Sequence, residues 1–492
     1  MSKNALLIIT FISGALVMIF EIIGARLLAP FIGTSFYVWT ALIGFILASL
    51  SIGYHLGGKW IDKKPDITWL GYSFFGAAFS LIYVFLIKDH FLHWITAHVH
   101  GIKPASIIAS LVLFVPASIF FGSVSPMVAK LILKDMDHTG KTMGNVFTFS
   151  TIGSLFGTFF AGFYLLPTFT LSQILMGIII TSFIPAIIIF IRLKKWGFLS
   201  ISFLGIILMF YAFVNKTEDS TFLLEKESLY NSIKVYKTID YHTNDSILIM
   251  QLGMQRAGGM SLTERELPYN YLYYFKLAEH FNPQFSSALM LGGAAYGFPK
   301  YYLKAYPEAN MDVVEIDEEV TAVAEAFFHL DRSNPRLHIF HEDARTFINH
   351  SKQKYDVIYS DTFRNAISLP YQLTTVEAIK KQYDLLNEGG LVMVNVIQAV
   401  EGKASLFLQA EMQSFKEVFP QVFLFADAGN NKRKQIQSTI IVALKSDKPV
   451  PLNSNNIEMD SLLIKRVTDF TIHQTALYDD YAPVDYLAFR GM

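Results

Sequence analysis

Residues 288–297 read ALMLGGAAYG and residues 311–317 read MDVVEID. An apolar run ending in a glycine-rich turn, then a second apolar run ending in acids, has the pattern of a strand–helix–strand unit. The first run supplies the strand Ala288–Leu291, the turn Gly292-Gly293-Ala294-Ala295-Tyr296-Gly297 and the helix Phe298–Ala305. Small residues in such a turn let backbone approach a ligand closely and start the next helix tightly, although they also serve simple packing. The second run, Met311–Ile316, carries Glu315 23 residues beyond Gly292. An acid at that spacing accepts hydrogen bonds from both hydroxyls of a ribose.

Working outward, strands are expected at Arg336–Phe340, Tyr355–Ser360 and Leu391–Ile397, and helices at Glu318–Phe328, Ala344–His350, Val376–Leu386 and Ala404–Phe419. This alternation predicts an α/β, doubly wound, mostly parallel sheet, whose ligands bind beyond the carboxyl ends of the strands. A β-rich entry over 216–285 precedes the core at 286–492, with strands Leu229–Tyr236 and Ile247–Leu252 and a turn at Gly258-Gly259. After the third core strand, Asp343, with Ala344 beside it, is a candidate acceptor for an adenine amino group. Glu315 or Asp343 alone also reads as an acid favoured by a helix N-terminus; in register with the glycine turn they point to a nucleoside site. The fourth strand runs into Asp361, which either orients and deprotonates an incoming amine or caps a strand-to-loop turn.

Residues 1–215 are of another kind. The chain has 492 residues, 52% hydrophobic and only 16% charged, with mean hydropathy +0.37, where a soluble protein carries about 25% charged residues. Seven apolar stretches fall in this half: Ala5–Gly24, Val38–Gly57, Trp69–Ile87, Ile107–Leu131, Val146–Leu166, Leu171–Ile191 and Gly197–Val214. Each reaches or nears the ~20 residues that cross a bilayer, and the first, with no small-residue cleavage signature after it, reads as an anchor. Glu21, near the end of the first span, is the one acidic residue well inside an apolar run; it either faces a cavity or a partner or sits at the interface just below the headgroups. Arg26, five residues on and about 140° around the helix, is poorly placed to pair with it. Pro116, Pro126 and Pro167 are expected to bend or end helices, and Gly153, Ser154 and Gly157 to let two helices pack closely.

Charge divides the same way: 13 Lys+Arg against 6 Asp+Glu over 1–215, and 27 against 35 over 216–492. With no basic tract, nucleic acid is not an expected partner. The absence of cysteine excludes disulfides and thiolate-bound metals. With the N-terminus inside, Lys3, Lys59, Lys63, Lys64, Lys130, Lys134, Lys141, Arg192, Lys194 and Lys195 are internal, and only Arg26, Lys88 and Lys103 external. The positive-inside rule favours this arrangement, and seven spans then put the second half outside the cell membrane. A domain that consumes a cytosolic nucleoside should face the cytosol, so the two expectations conflict.

The motifs resemble a known family. Glu227-Ser228-Leu229-Tyr230, Phe298-Pro299, Val314-Glu315-Ile316-Asp317, Asp343-Ala344-Arg345, Tyr355-Asp356-Val357-Ile358, Asp361-Thr362-Phe363, Leu369-Pro370, Leu373-Thr374-Thr375 and Gly389-Gly390 are similar to the spermidine synthase fold. Its membrane-fused branch also matches at Phe11, Ser13-Gly14, Glu21, Arg26, Gly122, Gly144-Asn145 and the closing Asp479-Asp480-Tyr481-Ala482-Pro483-Val484-Asp485. The resemblance implies a Rossmann-like domain of the S-adenosylmethionine-transferase type behind a multi-span helical domain. It further implies that Gly292, Gly293, Glu315, Asp343 and Ala344 hold decarboxylated S-adenosylmethionine, S-adenosylmethionine or methylthioadenosine as a co-substrate. Asp361 would activate an amine without a metal, and a homo-oligomer would be in keeping with the soluble relatives.

The departures concern the acceptor. Where soluble synthases have an acid in the glycine-rich turn, this chain has Ala294-Ala295; where they have a second acid after the catalytic one, it has Arg364; and their Tyr-His-Glu segment is Tyr269-Asn270-Tyr271 here. A dicationic acceptor such as putrescine loses electrostatic hold without those carboxylates. The expectation is a membrane-anchored transferase moving an aminopropyl group to an amine or a membrane-held acceptor. Its alternatives are another S-adenosylmethionine-dependent transferase, such as a methyltransferase, and a catalytically degenerate transporter or sensor.

Overall fold

The computed structural model describes residues 1–133, 139–214, 221–240, 245–263, 266–362, 370–429 and 432–489. Lys134, Phe363, Arg364, Leu369 and the expected boundary at Lys216 lie outside them. The chain divides into two compact units, Met1–Glu218 and Asp219–Met492.

Among the described residues of the first unit, seven helices are long and apolar enough to cross a membrane: α1 (Lys3–Ile32), α2 (Phe36–Lys63), α3 (Thr68–His98), α4 (Ile102–Ile132), α5 (Thr139–Thr168), α6 (Leu171–Arg192) and α7 (Trp196–Val214). Each contains one of the seven apolar stretches. Most are longer than the apolar run, because backbone hydrogen bonding continues into the polar ends. Pro116 and Pro126 lie within α4. α5 widens into a π turn at Ala161–Leu165, with Pro167 in its last few residues.

Small residues bring these helices into contact. A Cβ on Gly153 would lie 2.1 Å from the Phe11 carbonyl oxygen, and one on Gly157 2.4 Å from that of Ala15. The pairs ascend together, so α1 and α5 run parallel. The α2–α4 contacts, Gly53 on Ile119 and Gly57 on Ser123, also ascend. Those of α3 with α6 descend, Gly71 meeting Ile189 and Phe79 meeting Phe183. Parallel partners share odd or even number and the antiparallel pair does not, as a chain threading a bilayer back and forth requires.

The second unit starts with an antiparallel meander: β1 (Leu224–Glu227), β2 (Ser232–Ile239), β3 (Ser246–Leu252) and β4 (Gln255–Ser261). The turn expected at Gly258-Gly259 is instead strand; the reversal falls at Gly253, whose φ is +62°. Glycine is needed at 258 because a Cβ there would stand 2.8 Å from the backbone nitrogen of Ala295. The next elements are β5 (Ser287–Leu291), α8 (Gly297–Ala305), β6 (Asn310–Val314), α9 (Glu318–Phe328), β7 (Leu337–Phe340), α10 (Ala344–His350), β8 (Tyr355–Ser360), α11 (Val376–Asp384), β9 (Leu386–Gln398), α12 (Leu406–Val418), β10 (Gln421–Ala426) and β11 (Gln437–Leu444).

The large sheet has the order β10-β11-β9-β8-β5-β6-β7. β7, β6, β5, β8 and β9 are parallel, and β11 and β10 add an antiparallel edge that the sequence pattern did not reveal. β9 starts at Leu386, where the helix Val376–Leu386 was expected to end, and absorbs Gly389-Gly390. Both faces of the sheet are apolar, Met290, Val313, Tyr359 and Met393 on one and Leu289, Ile358, Val392 and Val394 on the other, the usual state of a parallel sheet covered on both sides.

The α1–α5 crossing is directly testable. Gly157→Leu is expected to destabilise the helical unit by about 1–3 kcal/mol or more through overpacking, lowering the midpoint of heat-induced loss of the monodisperse detergent-solubilised protein; an unchanged midpoint would refute the close contact.

Candidate active site

Four strand ends build the site. The Gly292 N–H donates to the Val314 carbonyl (2.9 Å) and the Asp361 N–H to that of Leu291 (2.9 Å), joining β6, β5 and β8 where each stops. The turn after β5 then takes conformations that side chains seldom adopt, with φ of +92° at Gly292, +44° at Ala294 and +53° at Tyr296. A Cβ on Gly292 would lie 2.7 Å from the Asp361 carbonyl oxygen, so only glycine lets β8 end here.

Glu315 braces this turn. Its Oε2 accepts from the Gly293 and Ala294 N–H groups (3.0 and 3.1 Å), and its Oε1 accepts from that of Asp317 (3.1 Å). The expected ribose acid is therefore buried and already engaged by backbone, with spare acceptor capacity on Oε1 only. Asp317 in turn caps α9 and accepts from Ser228 (2.5 Å) and Asn231 (2.7 Å). That contact explains Glu227-Ser228-Leu229-Tyr230 at the start of the unit: it ties the meander to the sheet.

Between β4 and the turn lies a cleft of about 330 Å³, counting the part open to solvent. Gly258, Gly259, Tyr269, Tyr271, Gly292, Gly293 and Asp361 are among its lining residues. Asp361 is held from two directions. The Tyr271 hydroxyl donates to Oδ2 (2.8 Å), and the Asn395 amide on β9 donates to Oδ1 (2.9 Å). Burial pushes the Asp361 carboxyl above its ordinary value, and these two hydrogen bonds pull the other way. Tyr271 is pushed well above its own by burial and by the Asp361 charge, which keeps it a neutral donor. Its ring stacks on Tyr269 at 6.0 Å.

The structure thus brings Gly292, Gly293 and Asp361 together in one cleft. Asp343 instead caps α10, accepting from the Thr346 N–H (3.0 Å), with Ala344 as first helical residue; neither lines the cleft, and nor does Glu315. In the helical unit Arg26 donates to the Leu166 carbonyl (3.3 Å). Among the described residues Glu21 has no hydrogen-bond or ionic partner, so the two do not pair. The sequence reading passed over Tyr271 as a site residue, and it passed over Asn395. An amide inside the apolar run 391–397 was the available signal for the latter.

Known proteins resemble the second unit. Residues 275–428 match the model of the spermine/spermidine synthase domain. The polyamine aminopropyltransferase of Vibrio vulnificus is 28% identical over 210 residues, 42% of this chain and 68% of that protein. A probable polyamine aminopropyl transferase of Bifidobacterium longum is 25% identical over 298 residues, 54% of this chain and 62% of that one. A probable spermidine synthase from Corynebacterium glutamicum superposes with a TM-score of 0.40 at 23% identity, over 47% of this chain and 82% of that one. The second unit is spermidine synthase-like, and the matched segment lies wholly within it.

Tyr271→Phe removes a hydrogen bond to the ionised carboxylate, so it is expected to raise the Asp361 pKa further. A carboxyl with a raised folded-state pKa contributes stability below its unfolded value that is lost as pH rises through the folded one. The variant should therefore keep losing stability to higher pH than the parent, read as the pH dependence of the thermal midpoint; superimposable profiles would refute the Tyr271–Asp361 bond.

Proposed function

We propose that the chain is a membrane-embedded, aminopropyltransferase-like enzyme that uses a sulfonium nucleoside, decarboxylated S-adenosylmethionine in the leading case, to alkylate an amine. The observation that carries this is Asp361, doubly hydrogen-bonded and facing the cleft formed by the glycine turn. In such a reaction the lone pair of a neutral amine attacks the carbon beside the sulfonium. The C–S bond breaks with its electrons going to sulfur, and a neutral thioether leaves. The new ammonium gives its proton to Asp361, whose raised pKa suits it to that role.

The missing acids bear on the substrate. Among the described residues Asp361 is the only carboxylate lining the cleft, and Ala294-Ala295 supply no charge to hold an ammonium. An acceptor of low positive charge fits this lining better than a free diamine. The same lack of an acid in the turn keeps S-adenosylmethionine itself as a second donor, which makes methyl transfer the alternative. Equilibrium binding to the solubilised protein separates them: tighter binding of the decarboxylated form supports aminopropyl transfer, and preference for the carboxylated form overturns it.

Asp361→Asn is expected to keep nucleoside binding and lose about 10²–10⁴-fold in turnover, the range for a removed acid–base group. The unpartnered Asn395 Oδ1 allows that amide to turn over and meet the new side chain without disturbing the cleft. Unchanged turnover would sink the role of Asp361.

The enzyme reading also expects the second unit in the cytosol, against the distribution of lysine and arginine. In this cysteine-free chain a single cysteine at exposed Ser461 should resist a membrane-impermeant maleimide in intact cells and react once they are permeabilised. Reaction from outside would follow the loop charges and remove the unit from its donor.

A further inference from the structure

We propose that the helical unit binds an organic ammonium at Glu21, a site separate from the cleft at Asp361. The inference rests on the reading that α1–α7 cross a bilayer. Of the acids at 1–215, Asp62 and Asp66 lie near helix ends, Asp89 is paired with Lys88 (2.7 Å), and Asp135 and Asp137 are outside the described residues. Glu21 differs. The midpoint of α1 falls between Val17 and Met18, so Glu21 is only about 5 Å from it along the axis, well inside a half-thickness of about 15 Å. A carboxylate at that depth, without a hydrogen-bond or ionic partner among the described residues, marks a functional site.

Helix geometry says what it faces. Glu21 is one heptad beyond Gly14, within about 20° of the same direction, and Gly14 abuts Ser150 and Ser154 of α5. Because α1 and α5 run parallel, Glu21 is directed at α5 one heptad further on, near 157–161, where the π turn Ala161–Leu165 begins. Such turns recur at functional sites. The Leu166 N–H bonds back to Ala161 in the π register; the next bond would run from residue 167 to Gly162, and proline has no N–H to give. Pro167 therefore gives this turn no backbone bond of its own. Aromatic rings continue along α5: Phe156 stacks on Phe160 and Phe160 on Tyr164, both at 5.2 Å, and Phe11 of α1 meets Phe156 at 5.7 Å.

A carboxylate beside aromatic faces is the surrounding an alkylammonium takes. A bare metal ion needs many more oxygens, and no group of three acidic or histidine side chains that could hold one exists among the described residues. The Arg26 guanidinium donates to the Leu166 carbonyl (3.3 Å).

The test labels the full chain in lipid nanodiscs with a hydrophobic carbodiimide, maps adducts by mass spectrometry, and uses tetramethylammonium chloride, a single-charge cation that cannot react with the reagent, as the probe against sodium chloride of equal ionic strength. Glu21 should be modified, and tetramethylammonium at about ten times its Kd should slow the modification about tenfold, while sodium should not. Glu21→Gln should lose the adduct, and Glu21→Asp should keep both adduct and protection. Asp361→Asn should be protected like the parent, which separates this site from the cleft. Absence of an adduct at Glu21, protection by sodium as well, or a rate unaffected by tetramethylammonium would overturn the proposal. Failure of the intact chain to enter nanodiscs would overturn the bilayer reading itself, and this site with it.

Discussion

The active-site half depends on one close approach, that of the Gly292 backbone to Asp361. Parallel pairing puts Leu291 opposite Ser360, so the residues just past each strand must share the same space. Only a residue without a Cβ fits, since that atom would be 2.7 Å from the Asp361 carbonyl oxygen. With the backbones this near, the Asp361 side chain emerges on the same face of β8 as Tyr359, toward Tyr271 and Asn395. The ladder continues sideways, the Glu315 N–H donating to the Phe340 carbonyl (3.0 Å) while its carboxylate braces the turn from the far side. The direction of the catalytic candidate is thus set by backbone constraints in four strands and held by the Tyr271 and Asn395 side chains.

Much of this was legible because the parallel strands are short, apolar and separated by amphipathic helices. Tyr355–Ser360 and Glu318–Phe328 fall where the pattern puts them. The antiparallel edge was not legible, because β10 and β11 follow the last expected helix and carry no pattern of alternating strand and helix. Gly258-Gly259 misled for a physical reason: a glycine pair usually marks a turn, but here it thins a strand so that the backbone of Ala295 can approach. Glu315 and Asp343 were found as acids at strand ends, yet spacing cannot tell a ligand from a brace. Only the geometry reveals that one ties down the glycine turn and the other caps a helix.

The helical unit was legible in number and nearly in extent, since hydrophobic length is a one-dimensional property. Its packing was legible only where the contact residue is small. Between helices in lipid there is little hydrophobic drive for association, and van der Waals contact between backbones takes its place. Gly153 and Gly157, four residues apart on α5, provide that contact with α1, a spacing that a sequence displays openly. The π turn is different: nothing in Ala161–Leu165 marks it, and it arises where the parallel α1–α5 contact meets the break imposed by Pro167.

The charges of the cleft narrow the chemistry further. Among the described residues Asp361 is its one carboxylate, and burial makes that carboxylate reluctant to ionise. Each of its oxygens already accepts one hydrogen bond, so it retains lone pairs for one incoming N–H at little further cost. The stacked Tyr269 and Tyr271 beside it offer ring faces and no second negative charge. On the proposed reading, one carboxylate therefore suits an amine whose other end is neutral or held elsewhere better than a freely diffusing diamine, whose second ammonium would find no partner here.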